Sequence, residues 1–309
     1  MAALGALKVI LAGTMIDRRT LLAAGTAAAL ASTVAAAPRP RRTIKKALKY
    51  GMIRDGTTVL EKFEIAAAVG FDGVELDSPS ELDLEQVLAA QDATGLVIPG
   101  VVDSVHWRDT LGDPDPAVRA RGVAGLETAL RDCAAYGGTT VLLVPGVVNV
   151  HMPYHLVYER SQAEIKKVLP LAEELGIRIA FENVWNNFIT DADEAARYVD
   201  QFDSPYIGWY FDTGNIVRYG EPAQWVKTLG KRMMKLDIKD YSRAKMKAEG
   251  VWKGFGCKIG DPDSSVGWAD TMRAVDAIGY SGWGSAEVGG GKRDRLEDIS
   301  RRMDDVFSR

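Results

Sequence analysis

The sequence is poor in the residue types that cross-link small domains or build zinc clusters. Its 309 residues include two cysteines and three histidines. Two cysteines cannot form a disulfide framework, and neither Cys133 nor Cys257 lies in a spacing typical of a thiolate metal cluster. We therefore interpret both cysteines as incidental.

The chain also lacks an excess of positive charge. Its formal net charge is -4 and its sequence pI is near 5.6. A nucleic-acid partner is not expected, because contacts with phosphates require a basic face. The expected ligand is a small molecule.

The first 43 residues differ in composition from the rest. Arg18 and Arg19 precede an Ala-rich apolar run, and small residues close it before Pro38. This order predicts a cleavable signal peptide, and the arginine pair resembles a twin-arginine export signal. The apolar run from Leu21 to Ala31 is shorter than the roughly 20 residues that span a bilayer, so no stable membrane anchor is expected. We expect an exported, periplasmic or extracytoplasmic protein, with Met15 as an alternative start of translation.

Residues 44–309 are long enough for one large domain with a buried core. Short β-branched runs alternate there with longer amphipathic stretches, several of which end at a glycine such as Gly70, Gly176 or Gly279. This rhythm predicts a single α/β domain, a (β/α)8 TIM barrel. The eight candidate strands are Tyr50–Ile53, Gly73–Asp77, Ile98–Asp103, Thr140–Pro145, Ile177–Asn183, Ile207–Asp212, Met234–Lys239 and Trp283–Val288. We interpret Tyr241 to Trp268, rich in Lys and Gly, as one long irregular loop that acts as a lid or binding segment or is mobile.

Four carboxylates close the last four candidate strands: Glu182, Asp212, Asp237 and Glu287. Parallel barrel strands end on one common face, so these acids should meet at the mouth of the barrel. Their mutual repulsion would be costly unless a cation binds between them or some are protonated. A divalent metal site is the favoured interpretation. The alternative is that some of them only cap helices or pair with lysines.

Five segments together resemble the xylose-isomerase-like sugar phosphate isomerase/epimerase family. They are Gly73-Val74-Glu75-Leu76, Phe181-Glu182-Asn183, Phe211-Asp212-Thr213-Gly214-Asn215, Leu236-Asp237-Ile238-Lys239-Asp240, and Gly279-Tyr280-Ser281-Gly282-Trp283 leading to Glu287. The resemblance implies a metal held by Glu182, Asp212, the residue at 237 and Glu287. Asp237 stands where the family usually has a histidine ligand. Asn215 stands where many epimerases have another histidine near the metal. An all-oxygen ligand set favours Mn²⁺ or Mg²⁺.

The chemistry that the resemblance implies is proton transfer beside a sugar carbonyl through an enediolate, with Glu182 and Glu287 as the acid/base pair. The candidate substrate-binding residues are Glu75, His106, Trp185, Asn215 and Lys239. Four of them have a structural alternative: a buried pair for Glu75, a hydrogen-bonded loop position for His106, a pair with a neighbouring acid for Lys239 and a hydrophobic rim for Trp185. Trp107 is a further candidate for stacking on a sugar ring.

Other functions are compatible with the same barrel. One is a lyase or hydrolase that uses the metal on keto-sugars or oxidised glycosides. Another is an exported sugar-binding barrel whose catalysis has decayed, with Asp237 as the mark of the loss. The DNA-repair endonucleases that share the fold need several histidines at their metals, and this acidic chain has three in all. Self-association into a homo-oligomer stays open.

Overall fold

The computed structural model describes residues 44–309, and the predicted signal peptide and linker, residues 1–43, lie outside this range. Strands and helices alternate along the described chain. The strands are β1 (Lys45–Lys49), β2 (Gly73–Ser78), β3 (Val101–Asp103), β4 (Thr140–Leu143), β5 (Arg178–Glu182), β6 (Ile207–Asp212), β7 (Met233–Ile238) and β8 (Trp283–Ala286). The helices are α1 (Val59–Ala68), α2 (Leu84–Thr94), α3 (Pro116–Ala135), α4 (Tyr154–Leu175), α5 (Ala192–Asp200), α6 (Pro222–Leu229), α7 (Arg243–Glu249), α8 (Trp268–Ala277) and α9 (Arg293–Phe307).

The strands form a closed parallel barrel. Each strand pairs with the next along the chain, and β8 pairs with β1 to complete the ring. The predicted (β/α)8 barrel is therefore confirmed. Because all strands point the same way, the ends of β5 to β8 lie side by side at one mouth.

Local sequence signals fix the helix ends. Thr58 and Glu61 form a capping box at the start of α1, and α4 ends at Gly176, which has a positive φ of 70°. Large side chains such as Phe181, Trp209 and Phe211 are fully buried in the core around the barrel. Within residues 44–309, no helix has both the length and the apolar character needed to cross a membrane.

The first strand lies earlier in the chain than the sequence pattern predicts. It covers Lys45–Lys49, whereas Tyr50–Met52 of the predicted strand forms one turn of 3-10 helix. The strand contains three lysines, so its sequence does not look like that of a buried strand. The Lys46 ammonium donates hydrogen bonds to Ser300 Oγ at 2.9 Å and to Asp304 Oδ2 at 2.7 Å. A lysine that finds such partners can occupy a barrel strand without an unpaired buried charge.

The interpretation of Tyr241 to Trp268 as one irregular loop is wrong. The segment contains α7, capped by the Ser242 side chain, and then a 3-10 helix over Val251–Gly256. The Tyr241 hydroxyl donates to Val251 O at 2.7 Å, and Gly254 packs so closely on the Tyr241 ring that a Cβ would lie 2.4 Å from it. These contacts hold the 3-10 helix beside the mouth of the barrel.

Candidate metal and substrate site

The four predicted carboxylates come together at the barrel mouth. Glu182 ends β5, Asp212 ends β6, Asp237 lies in β7 and Glu287 directly follows β8. Each offers one oxygen, and the four oxygens lie within 4.8 Å of one another. Three of the residues are buried, and the Glu287 side chain is half-buried. The grouping predicted from the strand ends is therefore what the structure contains.

The turn after β6 orients Asp212. Its Oδ1 accepts hydrogen bonds from the backbone N–H groups of Gly214 at 2.8 Å and Asn215 at 2.7 Å. Its Oδ2 is buried and accepts no hydrogen bond. Gly214 is required here because a Cβ would lie about 3 Å from the Lys239 backbone. One oxygen of Asp212 thus holds the turn, and the other faces the cluster.

Asp237 divides its two oxygens in the same way. Oδ2 lies 3.1 Å from Lys49 Nζ, whereas Oδ1 is buried and accepts no hydrogen bond. The paired lysine is not Lys235, which pairs with Glu75, nor Lys239. It comes from the end of β1, the strand that the sequence pattern misplaces.

A second lysine lies directly among the acids. Lys239 Nζ is 2.8 Å from Glu287 Oε2 and 3.1 Å from Asp212 Oδ2. These distances describe ion pairs, yet neither oxygen accepts a well-aligned hydrogen bond. Asn215 joins the same group, since its Nδ2 donates to Glu182 Oε1 at 3.3 Å.

The two glutamates have opposite pKa shifts. Burial, followed by repulsion from Glu287, raises the pKa of Glu182 well above its ordinary value. Burial also opposes the ionisation of Glu287, but Lys239 and Lys49 outweigh it and lower the pKa of Glu287. Pairs of acids whose surroundings separate their pKa values are typical of acid/base catalysis. In the absence of a metal, the surroundings therefore favour the protonated form of Glu182 and the ionised form of Glu287.

Burial also raises the pKa values of both aspartates. The pKa of Asp212 rises to about 6, with Lys239 opposing the shift, and that of Asp237 rises well above its ordinary range despite Lys49. Two nearby lysines therefore do not supply enough positive charge to keep all the acids ionised.

The residues present fit a divalent metal with oxygen ligands. Oδ1 of Asp237 is buried with neither a hydrogen bond nor an ion pair, which is costly unless something binds it, and Oδ2 of Asp212 and Oε2 of Glu287 share the single ammonium of Lys239. Carboxylates alone make up the cluster, which matches the ligand preference of Mg²⁺ and Mn²⁺.

Glu75 lies beneath the site and not at its surface. Its side chain is fully buried, and its oxygens contact the ammonium groups of Lys235 and Lys49. The Tyr210 hydroxyl also lies 2.9 Å from Glu75 Oε2. Lys235 and Lys49 hold the pKa of Glu75 at about 2 although burial alone would raise it. This geometry supports the buried structural role of Glu75, the alternative to substrate contact.

Two chambers open from the carboxylate cluster, and both are lined by Glu182, Glu287 and Trp107. The first, which we call the polar chamber, has a volume of about 370 Å³ and is also lined by Lys49, Asp77, Val102, Asp103, Ser104, His106 and Leu142. The second, the aromatic chamber, has a volume of about 660 Å³ and is also lined by Val184, Trp185, Asn215, Lys239, Trp252, Phe255, Val288 and Gly289. Four of the five predicted substrate-binding residues therefore line a chamber.

His106 is held in one tautomer. Its Nδ1 accepts a hydrogen bond from Val144 N at 3.3 Å, so the ring proton is assigned to Nε2. Burial lowers the pKa of His106 to about 4, and the ring is neutral near pH 7. A neutral imidazole with a proton on Nε2 can donate a hydrogen bond to a hydroxyl or carbonyl oxygen in the polar chamber.

Residues 63–305 match the family model of the xylose isomerase-like TIM barrel. The chain belongs to this family. The L-ribulose-5-phosphate 3-epimerase UlaE of Escherichia coli O1:K1 is 28% identical to it over 180 residues, 55% of this chain. The match spans 63% of the length of that relative.

Solved structures of low sequence identity share the barrel. A D-tagatose 3-epimerase-like protein superimposes with a TM-score of 0.71 at 19% identity, covering 85% of this chain and 97% of that one. The IOLI protein with a binding zinc atom superimposes with a TM-score of 0.69 at 15% identity, covering 86% of this chain and 98% of that one. At these sequence identities, the structural similarity shows that the proteins share a fold.

The sequence pattern missed several residues that line the site of this xylose isomerase-like barrel. Asp103 ends β3 and could have been found by its strand-end position; burial raises its pKa to about 7. Lys49 was hidden by the misplaced first strand. Trp252 and Phe255 lie in the 3-10 helix within the segment interpreted as irregular, and no strand-end signal marks them.

Proposed function

We propose that this barrel is a metal-dependent isomerase or epimerase that acts on a sugar or keto-sugar. The observation that carries the proposal is the position of Glu182 and Glu287, which lie within one cluster of four carboxylates and line both chambers. Family membership and the epimerase relative support the reaction class. The substrate itself is a proposal, because the match covers only part of that relative.

Glu182, Asp212, Asp237 and Glu287 would hold the metal through the oxygens that face the cluster. A bound Mn²⁺ or Mg²⁺ would act as a Lewis acid on the carbonyl and the adjacent hydroxyl oxygen. Two lysines add positive charge beside these acids: Lys49 pairs with Asp237 and with Glu75 beneath the site, and Lys239 lies beside Asp212 and Glu287.

The proposed chemistry is a two-step proton transfer. Glu287 removes a proton from the carbon next to the carbonyl, and the C–H electron pair forms the C=C bond of an enediolate. Glu182 then returns a proton to the same carbon from the other side, and the carbonyl forms again. Glu182 ends β5 and Glu287 follows β8, and these strands are not neighbours in the barrel, so the two glutamates can reach the carbon from different directions.

The remaining polar residues would orient the sugar. His106 Nε2–H and Asp103 face hydroxyl groups in the polar chamber. Asn215 and Lys239 lie beside the reacting carbon, because Asn215 already contacts Glu182 and Lys239 contacts Glu287. These contacts cover both sides of the carbonyl.

Two rival functions differ from this proposal in what they release. A lyase acting on an oxidised glycoside would use the same metal and base but would release an aglycone or water. A decayed sugar-binding barrel would bind sugar without turnover, but a buried Asp237 Oδ1 without a hydrogen bond or an ion pair is costly to retain when no metal is bound. We also propose export through the arginine pair, Arg18 and Arg19, which lies outside the described residues.

Deuterium incorporation tests the reaction class. The Mn²⁺-loaded chain is incubated in D₂O with ketohexoses and keto-glycosides, and proton NMR follows exchange at the carbon next to the carbonyl. Glu182→Gln and Glu287→Gln should each slow exchange by about 10²-fold or more. Glu174→Gln, on the exposed face of α4, is the matched control and should keep full exchange. Absence of exchange with every sugar would reject the proposal, and release of an aglycone would favour the lyase.

A further inference from the structure

The two chambers differ in chemistry although they share one reacting centre. Glu182, Glu287 and Trp107 line both, so a carbon held between the glutamates has space on two sides. The aromatic chamber alone, at about 660 Å³, has the volume of pockets that enclose drug-sized ligands. A single sugar ring would fill only one of the two chambers.

The aromatic chamber presents flat apolar faces. Trp252 is 69% exposed although it lies on the 3-10 helix held beside the mouth. Its ring lies 5.0 Å from that of Trp185, and Phe255 lies 4.8 Å from Trp185. An exposed tryptophan that packs against a fixed aromatic partner provides a preformed surface for stacking.

Trp185 is the fixed member of this wall. Its Nε1–H donates to Asn215 O at 2.9 Å, and the Arg218 guanidinium lies 4.8 Å from its ring centroid. The Trp185 ring is therefore oriented before any ligand arrives, and the open stacking face belongs to Trp252.

The lysine that lines the aromatic chamber is already engaged by acids. Of the described residues that line it, Lys239 is the cation, and it already lies within 3.1 Å of Asp212 and 2.8 Å of Glu287. Phosphate recognition requires unengaged donors or cations. The polar chamber carries the groups that recognise hydroxyls, including Asp103, Ser104 and His106.

We propose that the substrate is a keto-glycoside, a glycoside with a carbonyl on its sugar ring, whose sugar occupies the polar chamber and whose aglycone stacks on Trp252 in the aromatic chamber. This inference rests on the proposed function for the position of the reacting carbon. It adds a second binding site, specific for a flat apolar group joined to the sugar.

Binding calorimetry tests the aglycone site without turnover. The affinity of the full chain is measured for matched 4-nitrophenyl and methyl glycosides of D-glucose, D-galactose and D-xylose. At least one nitrophenyl glycoside should bind about tenfold more tightly than its methyl partner, the gain expected for one aromatic stacking contact. Trp252→Ala should remove this difference, so that the two glycosides of each sugar bind with similar affinity. Lys253→Ala, an exposed neighbour on the same 3-10 helix, should keep it.

The inference is overturned if no sugar shows a nitrophenyl gain in the wild type, or if the gain persists in Trp252→Ala. Tighter binding of ribulose 5-phosphate than of every nitrophenyl glycoside would also overturn it. A nitrophenyl gain that depends on Trp252, combined with no deuterium exchange, would retain the aglycone site and reject the proposed epimerase chemistry. The two proposals therefore fail separately.

Discussion

Lys49 Nζ lies 3.1 Å from Asp237 Oδ2 inside the barrel, and the other oxygen of Asp237 accepts no hydrogen bond. One carboxylate thus has a lysine on one oxygen and an open, buried position on the other. Pairing with a lysine and binding a metal were alternatives for Asp237 at the level of sequence. The geometry allows both at once, because each uses a different oxygen.

The first prediction concerns Asp237 as a ligand. Asp237→Ala should weaken binding of every divalent metal by at least about tenfold, because a charged oxygen ligand is lost. Asp237→His should shift preference toward Zn²⁺ and Co²⁺, because imidazole suits these ions. Calorimetric titration with Mn²⁺, Mg²⁺, Zn²⁺ and Co²⁺ measures both effects.

The control for Asp237 is Asp92→Ala, which removes an exposed acid from α2. It should change neither metal affinity nor melting temperature. Unchanged metal affinity in Asp237→Ala would remove this residue from the site.

The second prediction uses the divided roles of the Asp212 oxygens. In Asp212→Asn the amide oxygen can still accept from Gly214 N and Asn215 N, so the turn after β6 should survive. The amide nitrogen replaces Oδ2, the oxygen that faces the cluster. Mn²⁺ affinity should fall by about tenfold or more while the circular dichroism spectrum stays native. A misfolded variant would instead assign Asp212 to the fold.

The pKa of Asp212 gives this variant a distinct pH dependence. Burial raises that pKa from 3.8 to about 6, so the metal-free protein gains stability from Asp212 below pH 3.8 and loses it as the pH rises through 6. The loss is about 3 kcal/mol at most, since one pKa unit corresponds to about 1.4 kcal/mol. Mn²⁺ binding requires the ionised acid and should strengthen over the same range. Melting curves from pH 4 to 7.5 with EDTA measure the loss of stability, and the same curves with Mn²⁺ measure the gain in metal binding. Both pH dependences should be weaker in Asp212→Asn.

Strand order and the carboxylate cluster could be read from the sequence because apolar runs that end in an acid are a local pattern. Glu182 and Asp212 follow such runs directly. The first strand could not be read this way, because Lys46 and Lys49 find acidic partners far along the chain. Trp252 belongs to the site only because Tyr241 and Gly254 fold its segment over the mouth. Contacts between distant residues leave no periodic signal in sequence.

The third prediction concerns export. If the twin-arginine route reads residues 18 and 19, the double variant Arg18→Lys, Arg19→Lys should accumulate as an uncleaved cytoplasmic precursor. Cell fractionation and mass spectrometry of the N-terminus measure this. Arg41→Lys with Arg42→Lys, downstream of the apolar run, is the matched control and should leave export unchanged. Mature protein outside the cytoplasm at normal levels in the first variant would reject the route.

The last prediction concerns the neutral His106. Its folded-state pKa of about 4 lies below the ordinary value of 6.5, because burial disfavours the charged ring. The contribution of His106 to stability is therefore present above pH 6.5 and lost as the pH falls through 4, by about 3 kcal/mol at most. In His106→Asn, the amide oxygen can replace Nδ1 as acceptor for Val144 N, but the titrating group and the Nε2–H donor are gone. The variant should lose less stability between pH 6.5 and 4 than the wild type, and KM for the sugar should rise by about tenfold with a smaller change in kcat.

The control is His151→Asn, at an exposed position, which should alter neither the stability profile nor KM. An unchanged KM together with a flattened stability profile would leave His106 a structural residue and remove it from the polar chamber's recognition of sugar.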